Sequence, residues 1–297
     1  MSWIGGLAEW REGDTVYLSV AFTWLLDDAY QRAQFAKAQG LDVIAGGPAL
    51  FLVQNKHKLA DVALILKDYP DAIARHNSLA TFASRGCPVG CWFCIVPKME
   101  GKAFTLIPDF PVRPILCDNN LSGLDPKYQD HIVARYRAEG VKLTDANSGF
   151  EPITFTPDVY ARWRDLINEG KGPWRFAFDE LAERKQVHAV MRMLADEPQK
   201  RKRVYVLIGN EPFADCMQRI QEVIDHGCEP HVQPYIKLNA SERVPHVRLD
   251  WTAQKLSDVA RWANGWVWKR APFSEYQRHR KSSHDVAQYD AQQGLFV

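Results

Sequence analysis

Leu79-Ala80-Thr81-Phe82-Ala83-Ser84-Arg85-Gly86-Cys87-Pro88-Val89-Gly90-Cys91-Trp92-Phe93-Cys94 joins a short apolar run to three cysteines within eight positions. The run at 79–83 is brief and apolar and ends at a loop, which is the profile of a buried strand. The cysteines follow with the spacing C-x₃-C-x₂-C. Three thiolates on one loop suit an iron–sulfur cluster, each taking a different corner of a four-iron cubane. The fourth corner then has no protein ligand, and an open metal position is where a small molecule binds and is activated. Zinc is the plainer alternative, but it asks for four ligands. The nearest histidine, His76, stands eleven residues before Cys87 on the far side of the predicted strand, and His131 is remote.

The same strand-then-loop step recurs downstream. Candidate strands at 79–83, 114–117, 141–144, 174–178, 203–208 and 229–236 alternate with helical stretches at 126–139, 156–168, 180–195 and 213–226. Such units predict parallel strands joined by right-handed crossovers. Six strands fall short of the eight of a closed barrel. The expected fold is therefore α/β, with a partial (β/α)6 TIM-like barrel over 76–245 and its chemistry on loops at the carboxyl ends of the strands. Residues 1–75 read as a small N-terminal α/β unit: a strand at 16–22, a helix from Asp27 and Asp28 to Gln39, and strands at 41–45 and 62–66. Residues 246–297 read as a C-terminal helical extension, with a helix at 250–269 carrying Trp251, Trp262, Trp266 and Trp268 and a polar, basic tail after it.

Composition narrows the class without naming it. Of 297 residues, 46% are hydrophobic and 25% charged, as in ordinary globular proteins. The net charge of +1 provides no global field for nucleic acid or acidic lipid, leaving only local patches. The longest apolar stretch, 16–26, is far below the roughly 20 residues of a membrane span. The start Met1-Ser2-Trp3-Ile4-Gly5-Gly6 has no signal-peptide pattern. Six cysteines, three of them crowded, suit a reducing cytoplasm and a metal site. Cys117, Cys216 and Cys228 read as buried free thiols, because Cys216 and Cys228 bracket a predicted helix about 18 Å long.

Over 76–240 the chain resembles the radical S-adenosylmethionine (SAM) superfamily, on the cysteine loop, the strand leading into it and Phe93 directly before the last cysteine. The resemblance implies that Cys87, Cys91 and Cys94 hold a [4Fe-4S] cluster whose open iron is chelated by SAM. An electron from a donor such as flavodoxin or ferredoxin would then release a 5′-deoxyadenosyl radical that takes a hydrogen atom from the substrate. It also implies cofactor contacts at Phe93 and, near the methionyl end of SAM, at Asp118, Asn119 and Asn120. Further contacts follow at Glu151, where a carboxylate would meet a ribose hydroxyl or the substrate, at Asp179, and at Gly209 beside the adenine. The chain departs from the family at Phe150-Glu151, where relatives carry Gly-Leu-Asp. Plainer readings stay open: an Asx turn at 118–120, a helix N-terminal carboxylate at Asp179, and a solvated surface lysine at Lys237.

The N-terminal unit resembles a shortened cobalamin-binding domain, with Gly46-Gly47-Pro48 after its second strand. No Asp-x-His-x-x-Gly string is present, so cobalamin is not expected and a docking remnant is the better reading. Lys200-Arg201-Lys202-Arg203 reads as a solvated loop at the amino end of the barrel. Arg278, Arg280 and Lys281, with His279, His284 and Tyr276, form a candidate patch for a DNA backbone. A basic tail with no such role is the alternative. The compact layout resembles phage-encoded radical SAM proteins of thymidine hypermodification. That implies an isomerase of bacteriophage DNA modification in the host cytoplasm, with modified thymidine in DNA as substrate and no membrane partner. It would convert a glycyl group N-linked to the thymidine methyl carbon into a C-linked one. The alternatives are a radical SAM enzyme of a small metabolite or peptide, and a non-enzymatic iron–sulfur redox module with a fourth protein ligand.

Overall fold

The computed structural model of the chain describes residues 3–54, 56–66, 69 and 71–276. The basic patch at Arg278, His279, Arg280, Lys281 and His284 lies outside them. No helix among the described residues is long and apolar enough to cross a membrane.

At the N-terminus, β1 (Leu7–Glu12) and β2 (Thr15–Val20) form an antiparallel hairpin, and β3 (Asp42–Gly46) and β4 (Leu64–Ile65) extend it in parallel in the order β1-β2-β3-β4. The strand β1 has no counterpart in the sequence reading, since only Leu7 and Ala8 of it are buried and no alternation marks it. Its signal is the two-residue Gly13-Asp14 turn. The helix α1 (Leu26–Ala38) has Asp27 and Asp28 in its first turn and Lys37 in its last, each favoured by the helix dipole. It lays Ala29, Ala33 and Ala36 on the sheet, and α2 (Pro48–Leu52) follows β3. With Leu18, Val20, Val43 and Leu59 these residues form a first core. The short α3 (Ala72–His76) leads out of it.

A second core starts at Ala83, just past β5 (Ala80–Thr81). The stub β6 (Ser84–Arg85) runs into the cysteine loop and α4 (Val96–Met99), and β7 (Thr105–Leu106) returns antiparallel to it. Then come β8 (Ile115–Leu116), α5 (Pro126–Glu139), β9 (Asp145–Ala146), α6 (Pro157–Gly170), β10 (Trp174–Ala177), α7 (Arg184–Met193), β11 (Lys202–Ile208), α8 (Phe213–Asp225), β12 (Glu229–Pro234) and α9 (Ala253–Asn264). The helices begin where the chain supplies caps: Asp125 accepts from Lys127 N at 2.9 Å, Thr156 from Val159 N at 3.3 Å and Thr252 from Lys255 N at 3.1 Å. Pro126 and Pro157 occupy first turns, where no N–H is missed.

The strands run parallel in chain order, but they form two three-stranded sheets, β5-β8-β9 and β10-β11-β12, and not one continuous six-stranded partial barrel. The break falls after β9, which is only two residues long. Residues 141–144, read as the third strand, are irregular, and the bridge forms one step later at Asp145 and Ala146. The sheets are stitched by Phe150 N donating to Arg175 O at 2.8 Å and by a two-pronged Arg175–Asp145 ion pair at 2.6 and 2.7 Å. Trp163, Trp174 and Phe150 seal the seam with ring centroids 5.3 to 5.6 Å apart, a geometry that adds about 0.5–1.5 kcal/mol per aromatic pair beyond area burial.

The helical extension shares this second core. Leu256, Val259 and Trp262 of α9 are buried in it, beside β12. Asn264 bonds both backbone groups of Val232: its Oδ1 accepts from Val232 N at 2.7 Å and its Nδ2 donates to Val232 O at 2.9 Å. The basic run at 200–203 is not the solvated loop expected of it. Lys202 is 4% exposed, Arg201 donates to Gly172 O and Ile167 O, and Arg203 faces Glu229 at 4.0 Å. Arg201 thus ties the end of α6, Lys202 reaches Ala195 O just past α7 at 3.5 Å, and Arg203 bridges β11 to β12.

Candidate active site

The cysteine loop leaves the sheet on a stem that buried carboxylates hold from two sides. Asp118, fully buried, accepts from Ala83 N at 2.9 Å and from Ser84 Oγ. Burial lifts its carboxyl to about 6 although these donors pull it down. Glu100 accepts from Gly86 N and Asn119 Nδ2, each at 2.8 Å, and pairs with Arg85. Gly86 has φ +86, and a Cβ there would stand 2.2 Å from Ala103 O, so only glycine fits this bend.

Within the loop, Cys87 N donates to Gly101 O at 3.3 Å, Cys94 N to Cys91 O at 3.0 Å, and Val96 N to Cys94 Sγ at 3.4 Å. All three thiols are half-buried. Burial pushes Cys91 up to about 12, with Cys94, Glu151, Asp179 and Glu183 adding to the effect. Cys94 is raised by burial against the pull of the Val96 N–H. Iron binds the thiolate, so a metal that takes these sulfurs displaces their protons. Among the described residues no three of His, Cys, Asp or Glu gather as a single-ion site requires. A four-iron cubane takes each cysteine on a separate iron and makes no such demand. The donor set therefore fits a cluster.

The other expected site residues divide by what they touch. Asn120 Nδ2 approaches Cys87 Sγ at 3.9 Å while its Oδ1 closes a turn by accepting from Gly123 N at 2.8 Å. Asp118 and Asn119 act on the stem instead of on the open side of the loop. Glu151 follows β9, with its carboxyl raised by burial. Asp179 follows β10 and accepts from Leu207 N at 3.0 Å, so it links strand ends; the capping box of the next turn belongs to Glu180 and Glu183. Phe93 sits edge-on to Trp92. Gly209, expected to face adenine, faces the chain itself: Leu256 Cδ2 lies 3.1 Å from the position of a Cβ, and His246 O at 3.8 Å. The helical extension covers it.

Two neighbours escaped the sequence reading. Trp92 donates from Nε1 to Glu180 Oε1 at 2.7 Å, and its ring meets Tyr235 at 5.1 Å. The available signal was an indole placed inside the cysteine loop itself. Arg219 of α8, fully buried, donates to Phe178 O and to Leu207 O and pairs with Glu211 at 2.9 Å, holding the ends of β10 and β11 where Asp179 stands. A buried arginine within a helix carries no local motif.

Asp179 gives the site a pH signature. Burial, and then Glu183, lift its carboxyl from 3.8 to about 7. An acid raised on folding contributes stability that is full below its unfolded value and lost as pH rises through the folded one. The melting temperature of the cluster-free chain is thus expected to fall between about pH 4 and pH 7, and Asp179→Asn to flatten that fall. Scanning calorimetry at a series of pH values reads it, and an unchanged slope would contradict this placement of the carboxyl.

The chain matches no protein-family model and no solved structure. It is 25% identical over 186 residues to the tRNA-2-methylthio-N(6)-dimethylallyladenosine synthase of Mycobacterium avium (strain 104), covering 54% of this chain and 26% of that protein. It is 26% identical over 179 residues to the synthase of the same name from Mycolicibacterium paratuberculosis (strain ATCC BAA-968 / K-10), covering 51% of this chain and 35% of that one. The chain thus spans about a third or less of the length of these curated relatives. The likeness supports the radical SAM superfamily resemblance.

Proposed function

We propose that this chain is a radical SAM enzyme with a [4Fe-4S] cluster on Cys87, Cys91 and Cys94, and that it isomerises a glycyl-modified thymidine in DNA. The observation that carries the first part is the pinned three-thiol loop beyond β5, which shares its surroundings with Glu151 and Asp179 at the ends of later strands. When bound, the cluster supplies the electron that splits SAM and generates the 5′-deoxyadenosyl radical. The chain's own residues hold and enclose. Glu100 and Asp118 fix the loop and Asn120 orients Cys87; Phe93 would wall SAM, Glu151 would accept from a ribose hydroxyl or polarise the substrate, and Asp179 would stand beside the cofactor.

In the isomerisation a hydrogen atom leaves the glycyl α-carbon and the thymidine methylene shifts from nitrogen to that carbon. An electron from the reductant and a proton from water then complete the N–H bond, so substrate and product contain the same atoms while one SAM is consumed and 5′-deoxyadenosine accumulates with each turnover. Support for DNA comes from the chain's layout. The test is an anaerobic, reconstituted and reduced sample given SAM, with 5′-deoxyadenosine followed by mass spectrometry with and without DNA carrying N-linked glycyl-thymidine. The expected result is a several-fold rise with that DNA and a nucleoside of unchanged mass but altered retention. Deoxyadenosine with no rise would remove the DNA reading, and none at all would remove both.

Methylthiolation of a tRNA adenosine is the second reading, favoured by the two synthases. It adds a methylthio group and so changes the product mass. It also needs a sulfur source, and Cys117 just past β8, Cys216 within α8 and Cys228 just past α8 are all buried, with burial raising each thiol.

A further inference from the structure

Trp92 is 47% exposed, while Trp163 and Trp174 of the same chain are wholly buried. An indole left in water forgoes a large burial gain, yet this one is not loose. Its Nε1 is held by Glu180, which the capping box with Glu183 fixes in turn, and its ring is braced edge-to-face by Phe93 at 5.4 Å and by Tyr235 at 5.1 Å. Tyr235 is itself anchored: its N donates to Ile208 O at 2.9 Å, and its O accepts from His246 N at 2.7 Å. Tyr235 opens a strap, residues 235–250, that is tied to the N-terminal unit where Thr23 Oγ1 donates to Leu238 O at 3.2 Å. The strap exposes Lys237, Arg243 and Arg248 against Glu242 and Asp250, an excess of cations, together with Val244 and Val247. A rigid open ring with cations and small apolar groups on the neighbouring strap is the surface that takes single-stranded nucleic acid, bases on the ring and phosphates on the cations.

We propose that Trp92, backed by Tyr235, is a stacking platform for an unpaired or flipped-out nucleobase, with Lys237 and Arg248 receiving the flanking phosphates. This rests on the reading of the chain as an enzyme acting on nucleic acid, and it deepens that reading by assigning the residue that receives the base. Trp92 lies between Cys91 and Phe93, so a base stacked on it is presented beside the cysteine loop. Stacking tolerates any base because each has a π-face. Selection of the modified thymidine therefore falls to groups other than Trp92.

The test is fluorescence anisotropy with the full chain, purified anaerobically, and two fluorescein-labelled single-stranded DNA probes of equal length, one intact and one abasic. Trp92→Ala is expected to weaken the intact probe by about tenfold or more and Trp92→Phe by no more than about threefold. The abasic probe should bind wild type and Trp92→Ala alike. Three outcomes would overturn the platform: no binding of the intact probe by wild type, equal binding of it by Trp92→Ala, or the same loss on the abasic probe. The last would mean that Trp92 acts through the fold. Binding is read without SAM, and SAM cleavage is scored in a separate arm. A chain that stacks bases but leaves SAM intact keeps the platform and loses the radical SAM reading. A chain that cleaves SAM but stacks no base keeps the radical SAM reading and loses the platform.

Discussion

Alanine at Cys87, Cys91 or Cys94 is expected to reduce 5′-deoxyadenosine formation by roughly a thousandfold or more, to the level of a cluster-free sample. Groups that act as one unit fail together, so each single change should cost about as much as all three. The geometry sharpens this. Cys91 and Cys94 share the Cys94 N to Cys91 O bond, and Asn120 reaches Cys87 from a turn of its own, so each sulfur is held by its own local contacts. Iron content and the absorbance of the reconstituted cluster should fall in step with activity. Cys228→Ala, at a buried thiol on the far side of α8, is the control and should retain both. Retention of the cluster by any of the three loop variants would overturn the ligand assignment.

Arg219→Leu is expected to destabilise the chain by about 3–5 kcal/mol, because it strands buried partners instead of merely removing a contact. The guanidinium bonds Phe178 O at the end of β10 and Leu207 O at the end of β11, and it pairs with Glu211. Leucine roughly fills the space but takes the guanidinium from two carbonyls and, among the described residues, leaves the Glu211 carboxylate with only Leu181 N as a donor. Lysine keeps the charge without the planar fork that serves several acceptors at once, so Arg219→Lys should recover only part of the loss. Guanidinium chloride midpoints measure both. A shift below about 1 kcal/mol for leucine would mean that the strand ends hold themselves.

The cysteine loop and the order of the parallel strands were legible because each is local. The spacing of Cys87, Cys91 and Cys94 is a sequence fact, and runs such as 203–208 declare a buried strand through apolar, β-branched content. What escaped depends on partners far along the chain. Gly209 looked like an approach for a ligand because glycine permits close contact, but the contact is Leu256. Lys202 and Arg203 looked like a solvated run because charge usually is solvated, but Glu229 lies across the sheet from Arg203. The break between the sheets hangs on a two-residue β9, below what propensity resolves. Asp118 was legible as important but not in role: its strand-end position suggested a ligand, whereas its donors Ala83 N and Ser84 Oγ place it under the loop.

The amide of Asn264 copies on one side chain the donor and acceptor that a further strand would offer Val232. An uncovered strand edge is a template for pairing with another chain, and here the cover is synthesised thirty-two residues after the position it protects. Chains leave the ribosome N-terminus first. For that interval each nascent copy displays a bare β12 to the copies beside it on the same message. Exposure of that edge to neighbouring chains is therefore confined to the interval before α9 is made, and the Asn264 clasp ends it.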